Sequence, residues 1–341
     1  MKESMMKESE YLLEVKGLKK YFDVTKGFRL GKEKRILRAV DDLNFSIRKG
    51  ETLGIVGESG CGKSTTGNCI IRLLEPTAGE VWFEGQDISK ISNRELKPIR
   101  RDIQMIFQDP FSSLNPRMRV FNLIAEPFLA HENFSKEELY ENVCHLMDVV
   151  GLPLEYIGRF PHEFSGGQRQ RIGIARALAL RPKLIICDEP ISALDVSIQA
   201  QILNLLKELQ DEFELTYIFI SHALPSIKHV STNVAVMYLG RIVEYADTEA
   251  IFSTPRHPYT EGLMSAVPIP DPELRDGRER VLLEGDLPSP SAPPPGCHFH
   301  TRCRYATEEC KTIVPDMKEL KPGHFCVCHH PLEHAVGTVV E

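Results

Sequence analysis

Residues Gly57-Glu58-Ser59-Gly60-Cys61-Gly62-Lys63-Ser64-Thr65 follow a continuous apolar run, 53–56 (LGIV), and open a segment of helical periodicity, 62–74. This is the pattern GxxxxGK[ST] in the strand-loop-helix setting it requires. No other feature constrains the fold as strongly. The glycines let backbone N–H groups curl round phosphate oxygens, and the helix start adds the positive end of its dipole. Lys63 is placed to reach the β- and γ-phosphates of a nucleotide, and the Ser64 hydroxyl to ligate Mg²⁺. A glycine-rich turn with a chance lysine is the bland alternative; the flanking strand and helix argue against it. Cys61 occupies a free position of the pattern, with no chemical role expected for its thiol.

Two further constellations fit this reading. Residues 183–190 (KLIICDEP) end a buried strand with two carboxylates. An acidic pair at the mouth of an apolar strand is costly unless a metal or a proton transfer uses it. Asp188 is placed to hold Mg²⁺ through water and Glu189 to polarise an attacking water; two carboxylates in an exposed turn are the alternative. Phe164-Ser165-Gly166-Gly167-Gln168-Arg169-Gln170 heads a strongly helical segment. Ser165 is a good N-cap there, and the amides behind it form a second anion site.

Along the chain, 11–16 and 43–48 alternate apolar with polar residues, whereas 53–56, 184–187 and 217–220 are apolar throughout. The first pattern reads as half-exposed antiparallel strands, the second as buried parallel ones. Helical periodicity covers 62–74, 119–130, 136–150, 166–180 and 196–213, so the class is α/β with a parallel sheet. The stretch from about 88 to 165 reads as a helical insertion. Prolines crowd 268–296, predicting an extended connector. No 20–50-residue repeat is visible, so one cassette is present. The net charge of −7 over 341 residues gives no general attraction for nucleic acid, and no 18-residue apolar run or leader-like segment is seen.

The phosphate loop, SGGQ and DEP, in this order and spacing, resemble the nucleotide-binding subunit of an ATP-binding cassette (ABC) transporter over about residues 11–265. The resemblance implies further roles. Tyr21 matches the aromatic that stacks on adenine, and Gln108 the glutamine that touches Mg²⁺ and the attacking water. Ser192-Ala193-Leu194-Asp195 resembles the D-loop, and His222 the switch histidine that contacts the γ-phosphate. Alone, each would be an ordinary core or surface residue. Ala223 departs from the pattern, which commonly has Asp there. Residues 108–118 (QDPFSSLNPRM), His257-Pro258-Tyr259-Thr260 and 283–290 (LEGDLPSP) resemble the oligopeptide/dipeptide importers, and the loop 24–36 their F-type ATPase.

That resemblance implies a P-loop NTPase core with a parallel sheet, an antiparallel β subdomain, a helical subdomain and a small Cys-rich C-terminal extension. The corresponding boundaries are 1–267, 268–296 and 297–341. It further implies ATP and Mg²⁺, a second ABC ATPase chain and two transmembrane permease subunits. An extracytoplasmic substrate-binding protein and a peripheral place on the cytoplasmic face of the inner membrane complete the expectation. Each nucleotide would lie between one chain's Tyr21, Lys63, Ser64, Gln108, Asp188, Glu189 and His222 and the other chain's signature. Soluble ABC ATPases acting on DNA or ribosomes are the alternative class, but they carry long coiled-coil insertions or two cassettes. Here Ser64 and Ser165 are only 101 positions apart. Nickel, glutathione or oligosaccharide are alternative cargoes, and a sensor role through the cysteine tail is a third reading.

Five of the nine cysteines lie after residue 282. An odd count without a secretion signal argues against a disulfide framework. The spacing of Cys297, Cys303, Cys310 and Cys328 resembles a [4Fe-4S] site in the same importer subunits. Four thiolates also suit Zn²⁺, although close CxxC pairs are absent, and free thiols are the third option. Cys326 competes with Cys328 as fourth ligand.

Overall fold

The computed structural model describes residues 10–25, 35–131, 133–267, 281, 283 and 285–333. Most of the 24–36 loop, the first half of the proline-rich connector and the last eight residues lie outside them. The chain divides into two compact units, one of residues 1–47, 53–89 and 222–341, the other of residues 48–52 and 90–221.

In the first unit, β1 (Leu13–Asp23) pairs antiparallel with β2 (Ile36–Ile47) and, on its other edge, with β4 (Ala78–Phe83), which turns into β5 (Gln86–Asp87). The alternating patterns at 11–16 and 43–48 therefore form an antiparallel sheet. The apolar run becomes β3 (Thr52–Val56), buried throughout and parallel to β9 (Asn233–Tyr238). Antiparallel additions follow on β9: β10 (Arg241–Asp247), β12 (His324–Cys326) and β11 (Lys318–Lys321). The Cys-rich extension thus builds onto the sheet that carries the phosphate loop. The described part of the connector lies against β2, with the Arg38 N–H donating to the Pro290 carbonyl at 3.3 Å.

The second unit holds three parallel strands, β6 (Ile103–Ile106), β7 (Leu184–Asp188) and β8 (Thr216–Ile220), in the order β8-β7-β6. β7 and β8 are the other two apolar runs, and their complete burial explains the missing alternation. Helices Val120–His131, Lys136–Val149, Gly166–Leu178 and Val196–Phe213 fall within a residue or two of the periodic segments.

The helix after the phosphate loop is shorter than its periodicity suggests, Lys63–Ile70. Arg72 adopts a left-handed φ of 56°, and the Leu73 and Leu74 N–H groups fold back onto the Asn68 carbonyl. That wrap satisfies terminal carbonyls and stops the helix.

Candidate functional site

The phosphate loop occupies the turn between β3 and its helix. Gly62 has φ 106°, and a Cβ there would stand 2.0 Å from the Ala39 carbonyl oxygen; Gly57 faces the Met237 carbonyl in the same way at 2.2 Å. Glycine is obligatory at both positions. Lys63 is only 5% exposed, and its ammonium donates to the carbonyls of Gly57 (2.8 Å) and Glu58 (3.1 Å). Among the described residues no carboxylate pairs with it. A buried cation held only by neutral groups, these carbonyls and the Cys61 sulfur, is costly, and an incoming anion removes that cost. Ser59 and Gly60 are exposed and Ser64 and Thr65 half-buried at the helix start. Burial raises the Cys61 thiol, consistent with an inert side chain.

Tyr21 lies near the end of β1. Its hydroxyl donates to Asp41, which Arg241 grips through Nε (2.9 Å) and Nη2 (2.7 Å). Burial alone would raise the Asp41 carboxyl, but the bonds from Tyr21 and Arg241 outweigh it and hold it below its ordinary value. The Tyr21 hydroxyl is pushed up to about 12 by burial and by Asp41. His222 is exposed just beyond β8. Ala223 is the N-cap of helix Leu224–Val230 and supplies no side-chain bond. The Ser226 N–H is instead satisfied by the Ala223 backbone carbonyl at 3.1 Å.

In the second unit the structure joins two residues that the sequence separates by 81 positions: Gln108 Nε2 donates to Glu189 Oε2 at 3.0 Å. Asp188, 5% exposed, closes β7, and Glu189 follows it at φ 45°. A non-glycine residue in that region is strained, and such strain clusters at functional sites. The Glu189 backbone is held by its N–H to the Ile220 carbonyl (2.9 Å), and its carbonyl accepts from Ser192 Oγ (3.0 Å). Ser165 caps its helix as expected. Its hydroxyl accepts from the Gln168 N–H (3.4 Å), and its own N–H donates to Gln168 Oε1 (3.0 Å), a reciprocal capping box. Gly167 packs on Ile198, 2.5 Å from where a Cβ would sit, and Gly166 faces Leu194. Gln199 braces the D-loop through the carbonyls of Ile191 and Leu194, while Ser192, Ala193 and Asp195 are exposed.

The cysteine tail requires a correction. Among the described residues no group of three or more His, Cys, Asp or Glu side chains is arranged to hold a metal ion, so neither the iron-sulfur cluster nor zinc is supported. Cys297, Cys303, Cys310 and Cys328 line one small cavity with four histidines, Pro258, Phe299 and Tyr305, whereas Cys326 pairs with β10 through β12. Burial raises the thiols of Cys297, Cys303 and Cys328, the last two to about 11 and about 12. Thiols buried in this way stay protonated, and the thiolate is the metal-binding form. All nine cysteines are free.

Sequence reasoning missed the side chains that position these loops. Arg169 Nε donates to the Pro161 carbonyl (2.6 Å) while its guanidinium covers the exposed Phe111 ring at 3.8 Å, and Arg176 donates to the Ser113 carbonyl (2.8 Å). The two arginines are seven residues apart on one helix face, and that spacing was the available signal. Arg241 and Arg302 were also missed, and nothing local marks them; Tyr259 stood in the stretch His257-Pro258-Tyr259-Thr260, but its bond to the phosphate loop was not foreseen.

Comparison with known proteins agrees with this arrangement. A family model described as ABC transporter matches residues 40–192, and one described as Oligopeptide/dipeptide transporter, C-terminal region, matches residues 243–310. The oligopeptide transport ATP-binding protein AppF of Bacillus subtilis is 54% identical over 321 residues, covering 94% of this chain and 97% of that protein. A putative peptide import ATP-binding protein of Brucella ovis is 48% identical, covering 93% and 97%. Among solved structures, the dimeric post-hydrolysis ATP-binding cassette MJ0796 bound to ADP and Pi matches with TM-score 0.61 at 30% identity, over 69% of this chain and 98% of that one. CbiO1 of Clostridium perfringens, part of the cbiONQ ABC transporter complex, matches with TM-score 0.62 at 27% identity, over 72% and 91%. With its phosphate loop, capped signature helix and matching C-terminal region, the chain belongs to the ABC transporter family, among the ATP-binding subunits of oligopeptide/dipeptide transporters.

Proposed function

We propose that this chain hydrolyses ATP to energise a membrane importer of di- or oligopeptides. It works paired with a second ATPase chain on two permease subunits at the cytoplasmic face, with an extracytoplasmic binding protein delivering the cargo. The observation that carries the reading is the buried, carboxylate-free Lys63 ammonium at the head of a glycine loop and helix, a cradle suited to a polyphosphate. The names of the peptide-import relatives supply the cargo class. No helix among the described residues is long and apolar enough to cross a membrane, in keeping with a peripheral motor.

In this mechanism Tyr21 stacks on the adenine and residues 57–65 cradle the phosphates. The hydroxyl of Ser64, the amide oxygen of Gln108 and the carboxylate of Asp188 are hard oxygen donors of the kind Mg²⁺ takes. When bound, that ion neutralises charge on the β- and γ-phosphates. Glu189 accepts the proton of the attacking water, Gln108 orients it, and His222 steadies the γ-phosphate. Ser165, Gly166, Gly167 and Gln168 present a capped helix start to the nucleotide of the partner subunit, and the D-loop 192–195 lies at the same interface. Catalysis is positioning plus electrostatic stabilisation. Closure on ATP and reopening after hydrolysis then switch the permease between its two facings.

The test is purification of the intact membrane complex and its reconstitution in vesicles. Peptide-stimulated ATP hydrolysis with peptide uptake is the expected result. Stimulation by nickel, glutathione or oligosaccharide alone would overturn the cargo, and co-purification with ribosomes or DNA instead of permease subunits would overturn the transporter role.

A further inference from the structure

We infer that the Cys-rich extension is a working part of the nucleotide site, in which Arg302 is a positioning residue for ATP, acting through Glu58 of the phosphate loop. This rests on the ATP-binding role proposed above and adds a residue that the cassette motifs do not contain. Arg302 grips the Glu58 carboxylate as a fork, Nη1 to Oε2 at 2.7 Å and Nη2 to Oε1 at 2.9 Å, across 244 positions of sequence. The Arg302 side chain is 6% exposed, whereas that of Glu58 is 28% exposed. A pair so shielded is neither freely solvated nor strongly screened.

The same loop residue is held once more, through its backbone. The Glu58 N–H donates to the hydroxyl of the fully buried Tyr259 at 2.9 Å. Tyr259 in turn packs against Tyr238 (centroids 4.7 Å apart) and against Phe299 of the extension (5.4 Å). Phe299 itself is 2% exposed and meets Tyr238 edge-on at 5.3 Å. The aromatic cluster therefore anchors the segment carrying Arg302, whose guanidinium lies against the Glu58 carboxylate with the Tyr238 hydroxyl as a further partner. The opposite end of the segment faces the group round Tyr21: His298 lies within electrostatic reach of Arg241, Asp41 and Arg38.

The charge arithmetic gives the fork its purpose. Glu58 carries a negative charge on a loop whose amides and Lys63 are there to receive a polyanion. Left alone, that carboxylate repels the phosphates and attracts Lys63; gripped by Arg302, it does neither, and the loop amides stay aimed outward.

The test compares ATP affinity by equilibrium binding to the full-length protein, and KM against kcat in the assembled complex. Arg302→Gln should raise Kd and KM about tenfold, the effect of one like charge near a polyphosphate, and leave kcat within about twofold. Glu58→Gln should tighten ATP binding by about two- to fivefold, because the Arg302 charge is then uncompensated. Combining the two should recover most of the affinity lost in Arg302→Gln, since the carboxylate that needed a partner is gone. A purely structural brace predicts the reverse, with the double variant no better than Arg302→Gln. That result, an unchanged Kd in Arg302→Gln, or weaker binding by Glu58→Gln would each overturn the inference. If Arg302→Gln does not fold, the direction of the Glu58→Gln shift decides alone. A wild-type chain that binds no ATP would instead overturn the proposed function itself.

Discussion

Replacing Glu189 by Gln should lower ATP turnover of the assembled complex by about 10²–10⁴-fold, the contribution of a positioned general base, while ATP binding persists. The substitution changes charge and basicity with almost no change of shape. The backbone of Glu189 is fixed independently of its side chain, by its N–H to Ile220 and by Ser192 Oγ on its carbonyl. Gln108 Nε2 still finds an acceptor, because the new amide oxygen takes the place of Oε2. What disappears is an oxygen able to take a proton from water, so the loss falls on kcat. An ATP-loaded dimer stable on size-exclusion chromatography is the second expected signature, because closure needs ATP and reopening needs hydrolysis. Normal turnover in this variant would remove Glu189 from the role of base.

How far this site was legible in the sequence depended on whether its determinants are local. The phosphate loop, the Ser165–Gln168 capping box and the buried strands 184–187 and 217–220 are written within a few residues, by glycine spacing, capping chemistry and unbroken apolarity. The grips that hold these pieces are not local. Asp41 with Arg241 spans 200 positions and Glu58 with Arg302 spans 244, and a single charged residue carries no mark of so distant a partner. β12 is three residues long and gains its identity only from β10 and β11 on either side of it. The cysteine tail shows the opposite failure, in which a suggestive spacing says nothing about burial or the direction of the sulfurs. Burial that favours neutral thiols, and the lack of a metal-holding group among the described residues, overrode it.

The extension should also prove essential for folding, through a residue that no cassette motif includes. Glu244→Ala should destabilise the chain by about 3–5 kcal/mol, the range for removing one partner from a buried charged network. Glu244 is 0% exposed in the middle of β10, and its carboxylate accepts three bonds: Arg256 N–H at 2.6 Å, His257 N–H at 2.9 Å and His324 Nε2 at 2.7 Å. His324 opens β12, so one side chain ties the extension both to the sheet and to the turn that starts the Tyr259 helix, Pro258–Ser265. Alanine leaves all three donors buried without an acceptor, each costing about 1–3 kcal/mol before the structure relaxes. Glutamine keeps one oxygen for Arg256 and His324 but turns an NH₂ toward the His257 N–H, so its cost should be that of a single orphaned donor, about 1–3 kcal/mol. Thermal unfolding of the full chain should therefore rank wild type above Glu244→Gln above Glu244→Ala. Equal melting of Ala and wild type would mean that water replaces the carboxylate and that the extension is only loosely attached. With the predicted ranking, loss of Glu244 should also weaken ATP binding, because the aromatic anchor that places Arg302 over Glu58 hangs from the same turn.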